Sequence, residues 1–377
     1  MATTERYQTQ QGVRWRARWR TAAGGSRSRS GFKTKGEATR FLASVEVSKA
    51  QGGEVDTQAA RRPLREYYAG WLAGVRATAA PSTAARYEGL WRSHVAGAWA
   101  DRQVGSIKVG EIQKWVADLA SRRSASTCRQ ALQVLRGSLD AAEADAAVAR
   151  NPARGRLRVP AQPDTAAERV FLTGAQARRL IEATRGEGQK ALVMTLLGTG
   201  LRFGEAAALR PCDRVGPGRW RVARAVTVIS GRAAGFGPTK GRSARTIAAP
   251  PAVDAAMMAQ ARRRGLEMDS DDLLWVTPRT GAPLVAPSTR EGAHSWLAAA
   301  VDRCQEADST YPRPRVHDLR HTYASLAIAG GASVVTVASQ LGHSSPAVTL
   351  SVYSHAFSAD LDAAAGVVGE ALDLTRI

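Results

Sequence analysis

Five short stretches of the 377-residue chain carry side chains that could act together on a charged substrate. They are Thr199-Gly200-Leu201-Arg202-Phe203-Gly204-Glu205, Pro238-Thr239-Lys240, His317-Asp318-Leu319-Arg320-His321, Leu341-Gly342-His343-Ser344-Ser345 and Tyr353-Ser354-His355. Between them they hold guanidiniums, an ammonium, imidazoles and a phenol. Displacing an alkoxide from a phosphodiester without a metal requires cations around the phosphate, a nucleophile, and a proton donor for the departing oxygen. The five stretches supply each of these. A single Arg in a turn or a single Tyr on a helix is most often structural, so the weight rests on the ordered set.

In order and spacing, the set resembles the tyrosine recombinase family, the lambda-type phage integrases. The resemblance is firmest from about Arg169 to Phe357, weaker over the helical region before it, and architectural only across the first 50 or so residues. It implies a reaction that leaves a 3′-phosphotyrosyl bond and a free 5′ hydroxyl. Bond energy is then conserved, and religation to a different 5′ end needs no ATP.

Residue chemistry assigns the parts. The planar forks of Arg202 and Arg320 suit the two non-bridging phosphate oxygens, where a Lys would be a poor replacement. Tyr353 would attack phosphorus; a free phenol has a pKa of about 10, so it needs positive charge and a proton acceptor nearby, for which His317 is the best candidate. Lys240 is the last lysine of the chain and hence the one ammonium acid downstream of Arg202. By resemblance it protonates the leaving 5′ oxygen, and His343 supports the same phosphate. Glu205, three residues after Arg202, can orient that Arg or another cation through an ion pair. Ser344, Ser345 and His355 also follow the family pattern, and local hydrogen bonding explains them equally well. His317 and His321 have the four-residue spacing of a zinc pair, but neither an HExxH glutamate nor a thiolate accompanies them. No metal and no cofactor are expected.

The elements that must position these groups belong to a long, basic chain. There are 53 Lys and Arg against 33 Asp and Glu, a formal charge of +20, which favours a polyanion; nucleic acid leads and an anionic membrane surface is the rival. The excess of Arg over Lys and the abundance of Ala can also reflect coding composition, so charge alone decides little. No apolar run approaches the roughly 20 residues needed to span a bilayer, and the first ten residues lack the apolar core of a secretion signal. A cytoplasmic, nucleoid-associated protein is expected. Cys128, Cys212 and Cys304 are scattered, so neither disulfides nor a structural zinc is expected, and all three read as buried thiols.

Three parts are expected. In residues 1–55, Val13 to Arg20 alternates strictly, with Val13, Trp15, Ala17 and Trp19 on one strand face and Arg14, Arg16, Arg18 and Arg20 on the other. A turn at Gly24-Gly25, a strand over Ser26 to Phe32 and a helix over Thr34 to Ser48 complete a small module that resembles an arm-site DNA-binding unit. A polar linker follows, from Gln51 to Ala60. Residues 61–152 show helical spacing over Leu64 to Val75, Thr83 to Val95, Glu111 to Leu119 and Thr127 to Ala147, and resemble a core-binding domain. There Arg122, Arg123, Arg129 and Arg136 could track phosphates or simply solvate a surface. A second linker, rich in Pro and Arg, runs from Ala153 to Ala167. Residues 168–377 form the catalytic part. It opens on a capping box at Thr173 and Gln176, carries helices over Lys190 to Leu197 and after Gly204, and has one small antiparallel sheet from Arg219 to Ile229 and Ser243 to Ala248. It closes on a helix over Ala359 to Ile377, which in related recombinases docks onto a neighbouring protomer.

The fold class is therefore mainly α with small antiparallel sheets (α+β). The partners implied are double-stranded DNA at core and arm sites and a homotetramer in the synapse, with a directionality factor and a host DNA-bending protein left open. Two rival functions are a type IB-like topoisomerase, which needs no arm-binding module, and a catalytically idle DNA-binding regulator, against which the intact residue set argues.

Overall fold

The computed structural model describes residues 2–10, 12–20, 25–50, 55–56, 58–159, 169–229, 231–239, 244–343 and 345–353, with the backbone alone at 47–50. Lys240, Ser344, His355, the segment from Ala359 to Ile377, Gly24 of the first turn, half of the first linker and residues 160–167 of the second lie outside these residues. The chain divides into two compact units, 1–165 and 166–377. Among the described residues no helix is long and apolar enough to cross a membrane.

The first unit begins with an antiparallel sheet in the order β1 (Thr3–Thr9), β2 (Gly12–Arg20), β3 (Ser26–Phe32), covered by α1 (Lys35–Ala50). The alternation in β2 puts Trp15, Ala17 and Trp19 against Phe32, Ala38, Phe41 and Leu42, a small core of their own. Strand β1 is not evident from the residues, because Thr3 to Thr9 has no apolar alternation. It forms by pairing with β2 over its whole length, Thr3 opposite Arg18 and Thr9 opposite Gly12. Main-chain hydrogen bonds, rather than side-chain burial, specify it.

Helices follow: α2 (Leu64–Thr78), α3 (Pro81–Leu90), α4 (Ala96–Trp99), α5 (Val109–Ala120) and α6 (Ala125–Ala144). Their apolar stripes meet in a core that includes Leu64, Ile112, Val116, Leu132, Leu135 and Leu139. The helix expected over Thr83 to Val95 is interrupted by a wide π turn at Trp91–Val95, where Trp91 lies flat on Tyr68 with ring centroids 3.8 Å apart. The second linker is shorter than its composition implies. Residues 153–159 are held to the helical core by Leu157 and Val159, and by paired hydrogen bonds between Gln113 and the main chain of Arg158 (2.8 and 2.9 Å).

In the second unit, α7 (Gly174–Ala183) starts at the Thr173 and Gln176 capping box. After it come α8 (Glu187–Thr199), the single turn α9 (Phe203–Ala206), strands β4 (Arg214–Gly216), β5 (Arg219–Val222), β6 (Arg224–Ile229), β7 (Arg232–Pro238) and β8 (Arg245–Ala248), then α10 (Pro251–Arg263), α11 (Trp296–Ala307), α12 (Val316–Ala329), α13 (Val334–Leu341) and α14 (Pro346–Tyr353). The expected single sheet is two. The strand is interrupted at Ala223: β5 joins β4 and β8, while β6 and β7 form a separate hairpin. Burial decides the pairing, because Trp220, Val222 and Ile247 all enter the main core when β8 returns to β5. Of the three thiols, Cys128 and Cys304 are buried, but Cys212 is exposed beside Asp271 (Sγ to Oδ1 3.3 Å).

Candidate active site

The site is assembled from helix ends in the second unit. Helix α8 stops at Gly200, which takes a left-handed conformation (φ +67°) and turns the chain sharply into Arg202, the N-cap of α9. A Cβ at this position would lie 2.4 Å from a ring carbon of Tyr323 and 2.6 Å from Leu341. Gly200→Ala is therefore expected to cost about 1–2 kcal/mol in backbone conformation and about 1–3 kcal/mol in overpacking. A lower urea midpoint checks this, and an unchanged one would mean the turn is not confined.

Arg202 is tied to Glu205 twice: its main-chain N–H donates to Oε2 (3.1 Å) and its Nη1 to Oε1 (2.9 Å). Glu205 is buried, at 1% exposure. Burial alone would raise its carboxyl, but the hydrogen bond and charge of Arg245, joined by the charge of Arg202, hold it below the usual range. Arg245 grips this carboxylate with both terminal nitrogens (2.7 and 3.2 Å).

The start of α12 supplies the next groups. The Asp318 carboxylate accepts from the Arg315 main-chain N–H (2.8 Å) and fixes the first turn of the helix. Arg320, 3% exposed, donates from Nη1 to the Gly200 carbonyl and from Nη2 to the Leu341 carbonyl, both at 2.8 Å. One guanidinium thus joins the turn that carries Arg202 to the end of α13 that carries His343. Its burial and the nearby Arg202 draw its pKa down to about 10, so it stays charged at neutral pH. Helix α13 ends at Gly342, also left-handed (φ +68°). His343 follows and shares a 2.7 Å hydrogen bond between Nδ1 and Thr349 Oγ1 of α14.

Tyr353, the last residue of α14, is 1% exposed and packs edge-on to Phe171. Its hydroxyl lies 2.8 Å from Nδ1 of His321, not of His317. The phenol thus sits one helical turn beyond His317, the acceptor expected from the sequence. Both imidazoles project from the same face of α12, their rings 4.8 Å apart and edge to face, and the approach of α14 brings the phenol to the second. Burial raises the Tyr353 phenol, and the charges of Arg320 and Arg169 oppose that rise. Burial and the neighbouring His317 lower His321 to about 4, which keeps the ring neutral at pH 7. His343 is held at about 4 by burial and by Arg320, Arg202 and Arg245, and His317 is lowered by burial and Arg320.

These depressed values set a pH dependence of stability. The unfolded chain protonates His321 and His343 near 6.5 and the folded chain near 4, so between those values the unfolded state holds more protons. Stability should rise with pH across this window and fall on acidification through it, read as a decreasing melting temperature in a buffer series. A melting temperature flat from 6.5 to 4 would contradict the burial of these rings.

Two contributors escape sequence reasoning. Arg169 is exposed yet acts on Tyr353 through its charge. Arg245 carried a signal: it stands two residues before the buried Ile247 in β8, on the same strand face, where an Arg needs a carboxylate. Among the described residues, no group of three or more His, Cys, Asp or Glu could hold a metal ion.

The residues proposed to contact DNA lie in the first unit. Arg14, Arg16, Arg18 and Arg20 project from β2 opposite its tryptophans, and Glu5 of β1 faces Arg18 (3.1 Å) and Arg16 (4.0 Å). Arg122 is exposed and paired with Asp118, and Arg123 and Arg129 are exposed near the start of α6. Arg136 instead donates to the Ala153 carbonyl (2.8 Å) and secures the chain after α6.

Known proteins give the arrangement its place. The sequence model of the phage integrase family matches residues 170–359. The XerC-like tyrosine recombinase of Caldanaerobacter subterraneus subsp. tengcongensis is 25% identical over 310 residues, covering 74% of this chain and 76% of its own. The integrase of Mycobacterium phage FRAT1 is 27% identical over 293 residues, covering 76% and 82%. Among solved structures, the Tn1549 transposon integrase with a circular intermediate DNA superposes with a TM-score of 0.66 at 19% identity, covering 82% of this chain and 99% of that one. A lambda integrase dimer bound to a core site gives 0.57 at 14% identity, covering 92% and 94%. The mainly helical fold with small antiparallel sheets is shared with both. With half its length matched by the family model, and with that turn, those helix ends and that tyrosine in one unit, the chain belongs to the phage integrase family, the site-specific tyrosine recombinases.

Proposed function

We propose that Tyr353 cuts duplex DNA by attacking a phosphodiester held by Arg202 and Arg320. The carrying observation is the 2.8 Å contact between the Tyr353 hydroxyl and His321, in a site where Arg320 acts on the same phenol. The phenolic proton passes to His321, the tyrosyl oxygen bonds to phosphorus, and the bond to the 5′ oxygen breaks. Lys240 donates a proton to that oxygen, and His343 and His317 line the phosphate beside the two guanidiniums. Glu205 orients Arg202. Fixed donors of this kind stabilise charge as it builds on the phosphoryl oxygens. In reverse, a 5′ hydroxyl from another duplex attacks the phosphotyrosine and the strands are exchanged.

Three parts share the work: residues 1–55 bind arm sites through the β2 arginines, residues 61–152 grip the core site with Arg122, Arg123 and Arg129, and residues 168–377 carry the chemistry. Four copies assemble on two DNA sites inside the cell, with room for a directionality factor and a host DNA-bending protein. Support for the assembly comes from the lambda integrase, solved as a dimer on a core site and as a tetramer on a Holliday junction. The test is a nicked duplex bearing the attachment site, from which the cut fragment escapes. Wild-type protein should leave a denaturation-resistant adduct on the 3′ end and a free 5′ hydroxyl. Binding without any adduct would leave an idle DNA-binding protein.

A further inference from the structure

Glu205 presents an electrostatic difficulty that the phosphate-binding reading does not resolve. A carboxylate only 1% exposed, bonded to Arg202, would cancel the charge that Arg202 must offer to a phosphate. The structure places a second cation on it. Arg245, with 13% of its side chain exposed, meets Glu205 through both terminal nitrogens, whereas the Arg202 side chain makes one bond and remains 27% exposed. One carboxylate and two guanidiniums sum to one net positive charge. The third nitrogen of Arg245, Nε, donates to the Gln340 carbonyl (3.0 Å), next to Leu341, whose carbonyl takes Arg320. The main chain of Gly342 lies against the flat face, since a Cβ there would stand 2.9 Å from the Arg245 Cζ. Gln340 closes the arrangement by exchanging hydrogen bonds with both main-chain groups of Ala248, at 3.0 and 2.7 Å. Arg245 therefore touches the supports of Arg202 and of Arg320 at once, through three of its five N–H donors.

Building on the phosphate-binding reading above, we propose that Arg245 is a positioning residue for strand cleavage. It takes up the buried Glu205 carboxylate, and Arg202 is left with an uncancelled positive charge for the scissile phosphate. Without it, Glu205 turns wholly onto Arg202 and the pair becomes neutral. The planar fork matters as well as the charge, because a lysine ammonium cannot hold both carboxylate oxygens and the Gln340 carbonyl together.

The experiment uses full-length wild type, R245Q, R245K and the double variant E205Q/R245Q. Adduct formation is timed in a single turnover on a nicked duplex with either an ordinary scissile phosphate or a neutral methylphosphonate there. R245Q should cleave the ordinary duplex on the order of 10- to 100-fold more slowly, the range of one lost charge-assisted hydrogen bond, with R245K between it and wild type. The defect should shrink on the methylphosphonate, which has no charge for Arg202 to meet, and in the double variant, which has no carboxylate to neutralise Arg202. A purely structural role moves neither readout. Wild-type rates for R245Q, or an equal defect on both substrates together with no recovery in the double variant, overturn the proposal. If R245Q fails to fold, R245K against wild type on the two substrates decides in the same way, an equal defect overturning it. Absence of a wild-type adduct would instead strike the cleavage reading itself.

Discussion

Tyr353→Phe protein should bind a nicked attachment-site duplex as wild type does and form no covalent adduct with it. The phenyl ring keeps the packing against Phe171, and the side chain is already 1% exposed, so the fold loses little beyond one hydrogen bond to His321. Such a bond is worth about 0.5–1.5 kcal/mol net. The chemistry loses its nucleophile outright. A drop on the order of a millionfold is expected, the size seen when a covalent nucleophile is deleted while its partners stay in place. Denaturing gels of a reaction with end-labelled DNA check it. If the variant still forms the adduct, some other residue is the nucleophile and the assignment of Tyr353 fails, however well the protein binds.

The second large effect belongs to Arg320→Lys. Two of the guanidinium's five donors already hold the Gly200 and Leu341 carbonyls, which leaves three for the phosphate of the proposed reaction. An ammonium cannot span both carbonyls and still present a planar pair of donors. Each carbonyl left without a partner costs about 1–3 kcal/mol, and the loss of a fixed donor at the phosphate slows cleavage on the order of 10²- to 10³-fold. A urea titration and single-turnover cleavage measure the two separately. A variant that is destabilised but cleaves at the wild-type rate would show that Arg320 only staples the two loops together.

These effects bear on how much of the protein its residues announce. The order of the five stretches, the alternation in β2, the capping box at Thr173 and the helical spacing from Leu64 onward are legible because each is local. A side chain three, four or two residues away meets its partner whatever the rest of the chain does. The same locality explains why Arg202 and Glu205, at N-cap and third helical positions, are found as a pair from their spacing alone. Strand β1 is not legible, since it owes its existence to a neighbour's main chain rather than to its own polar sequence.

What the sequence determined by itself is the inventory: the guanidiniums, imidazoles and phenol, their order, and the helix ends that carry them. The choice of His321 over His317 as the partner of Tyr353, and of Arg245 as the second cation on Glu205, was made only by the tertiary structure. His321 and Tyr353 are 32 residues apart, and Arg245 and Glu205 are 40 apart. No periodicity reaches across such separations. The packing of α14 on α12, and of β8 beside α9 and α13, brings these atoms within hydrogen-bond distance, and buried charges accept only the arrangement in which each has its counterpart.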